Sequence, residues 1–131
     1  MTAQVHEDLI LNSKHTSMAC EPSIPHQDKR IITCDDDFFD NTACARGYVG
    51  TWEILNGLFY LIKLEGLYKL TESPILADWF SGKLRVPEGD IVNYAHAGFF
   101  STYEKERLIE IKSGKVISEL IVDGREVYDY L

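Results

Sequence analysis

Two apolar runs flank an Asn-Gly pair near the middle of the chain, and this feature constrains the fold most. The first run is Arg46-Gly47-Tyr48-Val49-Gly50-Thr51-Trp52-Glu53-Ile54-Leu55. After Asn56-Gly57 comes the second, Leu58-Phe59-Tyr60-Leu61-Ile62-Lys63-Leu64-Glu65-Gly66-Leu67-Tyr68-Lys69-Leu70. A type I′ turn needs positive φ at both central residues, and Asn-Gly meets that requirement at low cost, so the stretch predicts a tight β-hairpin. A two-residue loop pairs Leu55 with Leu58, Ile54 with Phe59, Glu53 with Tyr60, Trp52 with Leu61 and Thr51 with Ile62. Alternation along each strand then puts Trp52, Ile54, Phe59 and Leu61 on one apolar face. The opposite side, with Tyr60, Ile62 and Leu64, is left as an apolar surface for a partner.

The flanking sequence extends the same pattern. Asp8–Asn12 and Thr16–Cys20 read as two short strands, and Ile31–Cys34 as a strand fragment. Lys83–Val86, a turn at Pro87–Gly89 and a strand over Asp90–Ala95 follow. Tyr103–Lys112, a turn at Ser113-Gly114, Lys115–Val122, a turn at Asp123-Gly124 and a return through Arg125–Tyr128 close the chain. One helix is expected over 74–80: Ser73 would cap it, Pro74 suits its first position, and Ile75, Leu76, Trp79 and Phe80 share a face. The expected fold is mostly β, a curved antiparallel sheet or partial barrel built from hairpins, with that short helix over part of it. Residues 1–131 fit a single domain, with an acidic, loop-rich part over 1–45 and the hairpin core over 46–131.

Charge limits the function classes. The formal net charge is −8, and no basic cluster is present, which argues against nucleic acid and anionic membrane surfaces as partners. No apolar run approaches the ~20 residues of a membrane span. The start lacks the features of a secretory signal, and Cys20, Cys34 and Cys44 have no spacing for a disulfide framework or a zinc site. A cytoplasmic protein without cofactor or metal is the expectation. The run Asp35, Asp36, Asp37 and Asp40 lacks the glycine and distal glutamate of a calcium loop and reads as a solvated acidic segment.

Candidate functional residues come from aromatic surface with polar handles. Arg46 enters the hairpin and is suited to stack on Tyr48 or Trp52, to bind an anion, or to pair with Glu53 or Asp78. His96 lies among small and aromatic residues. It would serve as a general acid or base if Asp78 or Glu104 oriented it and Ser101 or Tyr103 faced it. His6, His15 and His26 read as surface residues. Arg46, Tyr48, Trp79, Tyr94, His96 and Tyr103 form the candidate ligand-binding set. The preferred expectation is a non-catalytic binding module for a small molecule or a protein partner, self-associating as a homodimer. A small hydrolase or isomerase using His96 is the alternative.

The block Thr42–Ile54 with Leu58–Leu61, the block Ala77–Pro87 and the segment Tyr94–Tyr103 resemble a family of small uncharacterised bacterial proteins. That resemblance covers roughly residues 8–123. It implies a compact domain of the kind carried by integron gene cassettes or other mobile elements, and it implies no activity, cofactor or catalytic residue.

Overall fold

The computed structural model describes residues 3–34 and 44–131; the acidic run Asp35–Asp40 lies outside them. Among the described residues ten strands follow in order: β1 (Glu7–Leu11), β2 (Lys14–Met18), β3 (Ile31–Thr33), β4 (Tyr48–Leu55), β5 (Leu58–Gly66), β6 (Tyr68–Leu70), β7 (Ile75–Leu76), β8 (Gly82–Asn93), β9 (Thr102–Lys112) and β10 (Lys115–Asp123), then a 3-10 helix over Gly124–Tyr130. Eight strands form one sheet in the order β2-β1-β4-β5-β10-β9-β8, with β7 beside β5, and β3 pairs separately with β6. The molecule is a mostly-β curved sheet. It curls far enough for Ala19 N, just past β2, to donate to Arg85 O of β8 at 2.8 Å, but it does not close into a barrel.

The hairpin forms as its residues dictate. Asn56 and Gly57 have φ of 53° and 74°. Leu55↔Leu58, Ile54↔Phe59, Glu53↔Tyr60 and Trp52↔Leu61 pair in the expected register. Trp52, Phe59 and Leu61 are fully buried, and the Trp52 and Phe59 rings stack 4.9 Å apart. They share one core with Leu9, Met18, Leu84, Val86, Ile109 and Ile111, drawn from strands on both sides.

Five expectations need correction. First, Thr51 pairs with Lys63 and not with Ile62, because a bulge shifts the register beyond Trp52. An extra residue reverses the strand's facing, so Leu64 enters the core while Lys63 is exposed. The Tyr60, Ile62 and Leu64 side is therefore not a single outer face.

Second, no helix forms over 74–80. Ile75–Leu76 is a strand, antiparallel to Tyr60–Leu61 of β5, and Ala77 N donates to Phe59 O at 2.8 Å. Two turns of helix have little stability of their own. The open edge of β5 offers the same residues backbone partners and a place in the core, where Ile75 and Ala77 are buried. The Ser73 hydroxyl caps nothing and donates to Ile62 O at 2.6 Å.

Third, residues 82–93 form one long strand, with register shifts between Glu88 and Ile91 in place of a turn. Pro87 is tolerated there because β8 ends the sheet and its missing donor interrupts no ladder. Fourth, Arg125–Tyr128 belong to the 3-10 helix and not to a return strand; the Asp123 carboxylate accepts from Arg125 N at 2.9 Å and starts that helix. Fifth, the sheet is not wholly antiparallel: β1 lies parallel to β4, with Leu9 beside Trp52.

Candidate functional site

Two irregular segments meet at one end of the sheet. The chain leading into β1 runs beside the connection between β8 and β9: Ala3 forms a parallel bridge with Gly98, and Gln4 N donates to Gly98 O at 2.8 Å. Between them lies a cavity of about 290 Å³ lined by residues that include Val5, His6, Ile91, Tyr94, Phe99 and Tyr103.

Each wall is fastened from behind by an arginine. Arg46 Nη2 donates to Val5 O at 3.0 Å and to Glu7 Oε2 at 2.9 Å. Arg85 Nη1 donates to Phe99 O at 2.9 Å, while its Nε and Nη2 hold the two oxygens of Glu106. Both glutamates are completely buried. Burial pushes the Glu7 carboxyl up, opposed by Arg46, the Gly50 amide and the Trp52 indole. Ion pairs removed from water hold their geometry only when their remaining hydrogen-bonding capacity is met, and Glu7 also accepts from Gly50 N at 2.6 Å. Among the described residues, Nε and Nη1 of Arg46 have no hydrogen-bond partner, although Nε lies 3.5 Å from Glu21 Oε2.

His6 is the polar centre of the cavity wall. Its Nδ1 lies 3.1 Å from Ser17 Oγ and its Nε2 3.0 Å from Tyr103 Oη. Burial first, then the Arg85 charge, lowers its pKa, with Glu106 opposing and Arg46 adding to the effect. The neutral imidazole this favours donates from one nitrogen and accepts at the other. Burial, assisted by Glu106, raises the Tyr103 phenol. A neutral Ser17–His6–Tyr103 chain results, beside the apolar rings of Tyr94 and Phe99.

The residues singled out from sequence divide into four groups. Tyr94 and Tyr103 line the cavity. His96 is exposed and makes an edge contact with Tyr94, ring centroids 4.7 Å apart. Arg46 and Tyr48 lie together in the interior, the guanidinium 5.7 Å from the ring centroid. Arg46 pairs with Glu7 and Glu21, not with Glu53 or Asp78. Trp79 lies elsewhere, against Trp52, and donates to Ser23 O at 2.7 Å.

Asp78 and His96 are not brought together. Asp78 sits against Gly114 at the β9–β10 turn, while His96 follows the opposite end of β8, a strand of 12 residues and so on the order of 30 Å long. Glu104 is exposed and packs against Gly89. Ser101 is buried, its hydroxyl 3.0 Å from Ala95 N. Among the described residues, no group of three or more His, Cys, Asp or Glu is placed to hold a metal ion. Cys20 is partly buried against the core, and desolvation pushes its thiol up to about 11.

Sequence reasoning missed His6, Glu7, Arg85 and Glu106. Of these, the alternation Glu7-Asp8-Leu9-Ile10-Leu11 carried a usable signal: Glu7 falls on the same strand face as Leu9, which makes it an inward-facing charge that needs a partner. Comparison of the chain with protein-family models, with curated proteins and with solved structures returns no match.

Proposed function

We propose that this protein is a non-catalytic binding module that takes a small molecule into the cavity between residues 3–6 and 91–103. The observation that carries the reading is the pairing of apolar walls with one polar chain. Val5, Ile91, Tyr94 and Phe99 surround the site, while His6 and Tyr103 meet at 3.0 Å on its wall. Mostly apolar pockets with a few convergent polar groups are the usual form of a small-molecule site. A neutral, flat, largely apolar ligand with one or two hydrogen-bonding groups suits these walls. A cytoplasmic location belongs to the same proposal and is supported by three cysteines that are all free thiols.

Thermal-shift screening against a metabolite library tests the reading, because a ligand bound only by the native state raises the melting temperature. The expected result is a compound whose shift disappears in both Tyr94→Ala and Tyr103→Phe. Tyr94 is 54% exposed, so its truncation leaves the fold intact. No stabilising compound, or shifts that survive both substitutions, would overturn the proposal.

A second reading, acid–base chemistry, draws support from the Ser17–His6–Tyr103 chain, whose imidazole has hydroxyl partners at both nitrogens. In that reading His6, and not His96, is the general acid or base.

A further inference from the structure

Strand β10 has an unused edge. Its ladder with β9 runs from Lys115 to Asp123, with one register shift at Ile117. On the other side its pairing with β5 is confined to Lys115↔Leu58, supported by Val116 N donating to Gly57 O at 2.9 Å. From Ile117 to Asp123 that second edge meets no described strand. Three large apolar side chains there are exposed: Ile117 is 55%, Leu120 50% and Ile121 49% accessible. Natural proteins blunt open edges with proline, lysine or irregular register. Terminal strand β8 follows that pattern, with Pro87 and the shifts after Glu88. Between Ser118 and Asp123, β10 has neither proline nor lysine.

We propose that β10 pairs antiparallel with β10 of a second copy of this chain, about a two-fold axis at Leu120. The free segment fixes the register, because β5 occupies the edge at Lys115, leaving 117–123, whose midpoint is residue 120. Around that centre Leu120 meets its own copy, Glu119 meets Ile121, Ser118 meets Val122 and Ile117 meets Asp123. No like charges face each other, whereas a centre one residue earlier would set Glu119 against Glu119. The two carboxylates on the edge are already paired, Glu119 with Arg107 and Asp123 with Arg125, so the strand brings little repulsion despite the net charge. Closed two-fold pairing is also the commonest route by which identical chains associate. None of the ligand-cavity residues lies on β10, so this interface is independent of the binding reading.

Light scattering over the micromolar range, with cross-linking of single-cysteine additions, tests the proposal. The natural chain is expected at twice 15.0 kDa. Leu120→Lys should return a single-chain mass with an unchanged β-sheet spectrum; Ile117→Lys serves as the second disruptive variant should Leu120→Lys fail to fold. Opposed residues in an antiparallel pair have Cα atoms about 4.5–5.5 Å apart, within disulfide reach. Leu120→Cys should therefore form a linked dimer on oxidation, and Glu119→Cys should not. A single-chain mass at all concentrations overturns the interface, as does a dimer indifferent to the folded lysine variant. Equal cross-linking at 119 and 120 overturns the register.

Discussion

Arg85 and Glu106 face each other as a bidentate ion pair, Nε to Oε1 at 2.8 Å and Nη2 to Oε2 at 2.9 Å. The remaining Arg85 nitrogen holds the Phe99 carbonyl, so the pair sets the position of the cavity wall as well as joining β8 to β9. The Tyr128 ring covers it from the 3-10 helix, its centroid 5.4 Å from Arg85 Cζ.

Removing one partner should therefore be expensive. Glu106→Gln is expected to destabilise the protein by about 3–5 kcal/mol, since it leaves a buried guanidinium uncompensated. Replacing both partners, Arg85→Met with Glu106→Leu, should cost less than the sum of the two single changes. Urea denaturation of the four proteins in the cycle measures this, and strict additivity would refute it.

Gly57→Val isolates a backbone effect. A side chain at that position would have open space around it, but φ is +74°. The strain of a β-branched residue there should cost about 1–3 kcal/mol. Gly57→Asn, which tolerates that region, should cost less. Melting temperatures rank the three proteins, and equal values for glycine and valine would reject the turn argument.

The pH dependence of stability should show His6. Its folded-state pKa lies below 6.5, so the unfolded chain takes up the proton more readily than the folded one. The stability this contributes is fully present above 6.5 and falls as pH drops through the folded value. A His6→Gln variant lacks that component. Its deficit in melting temperature against the natural chain should narrow as pH goes from about 7 to about 5. A constant deficit would show that His6 does not titrate in this window.

Local chemistry made the hairpin legible, because Asn56-Gly57 and the alternation around it carry their own instructions. The 74–80 segment was not legible for the opposite reason. Ile75, Leu76, Trp79 and Phe80 satisfy a helical face, and Ile75 and Ala77 equally satisfy a strand. The choice depends on the vacant edge of β5, which no local pattern encodes. The cavity is less legible still. Tyr94 and Tyr103 stood out as aromatics in a small-residue context. Their partner His6 is 97 residues away from Tyr103 in the chain, and it read as a surface histidine because nothing in its neighbourhood announces Ser17 or Tyr103. The buried ion pairs follow the same rule: Glu7 and Arg46 are separated by 39 residues, and only the parallel docking of β1 on β4 brings them together.

Gly50 offers the most specific test of that convergence. Its amide donates to Glu7 Oε2 at 2.6 Å, and the backbone can approach that closely because no side chain intervenes. A Cβ at this position would lie 2.7 Å from Trp52 Nε1 and 2.9 Å from Glu7 Oε1, closer than such atoms can pack. Trp52 cannot yield freely, since it is fully buried and stacked on Phe59. Glu7 cannot yield without loosening its grip on Arg46, which in turn holds Val5 at the cavity wall. Gly50→Ala should therefore destabilise the protein by about 1–3 kcal/mol through overpacking, although alanine alone would favour the folded state by restricting the unfolded chain. The clash with the indole nitrogen also predicts coupling. In a Trp52→Phe background, which removes Nε1, Gly50→Ala should cost measurably less than in the natural chain. Denaturation of the two single variants and the double variant decides the matter, and purely additive energies would show that the indole is not what the new methyl group meets.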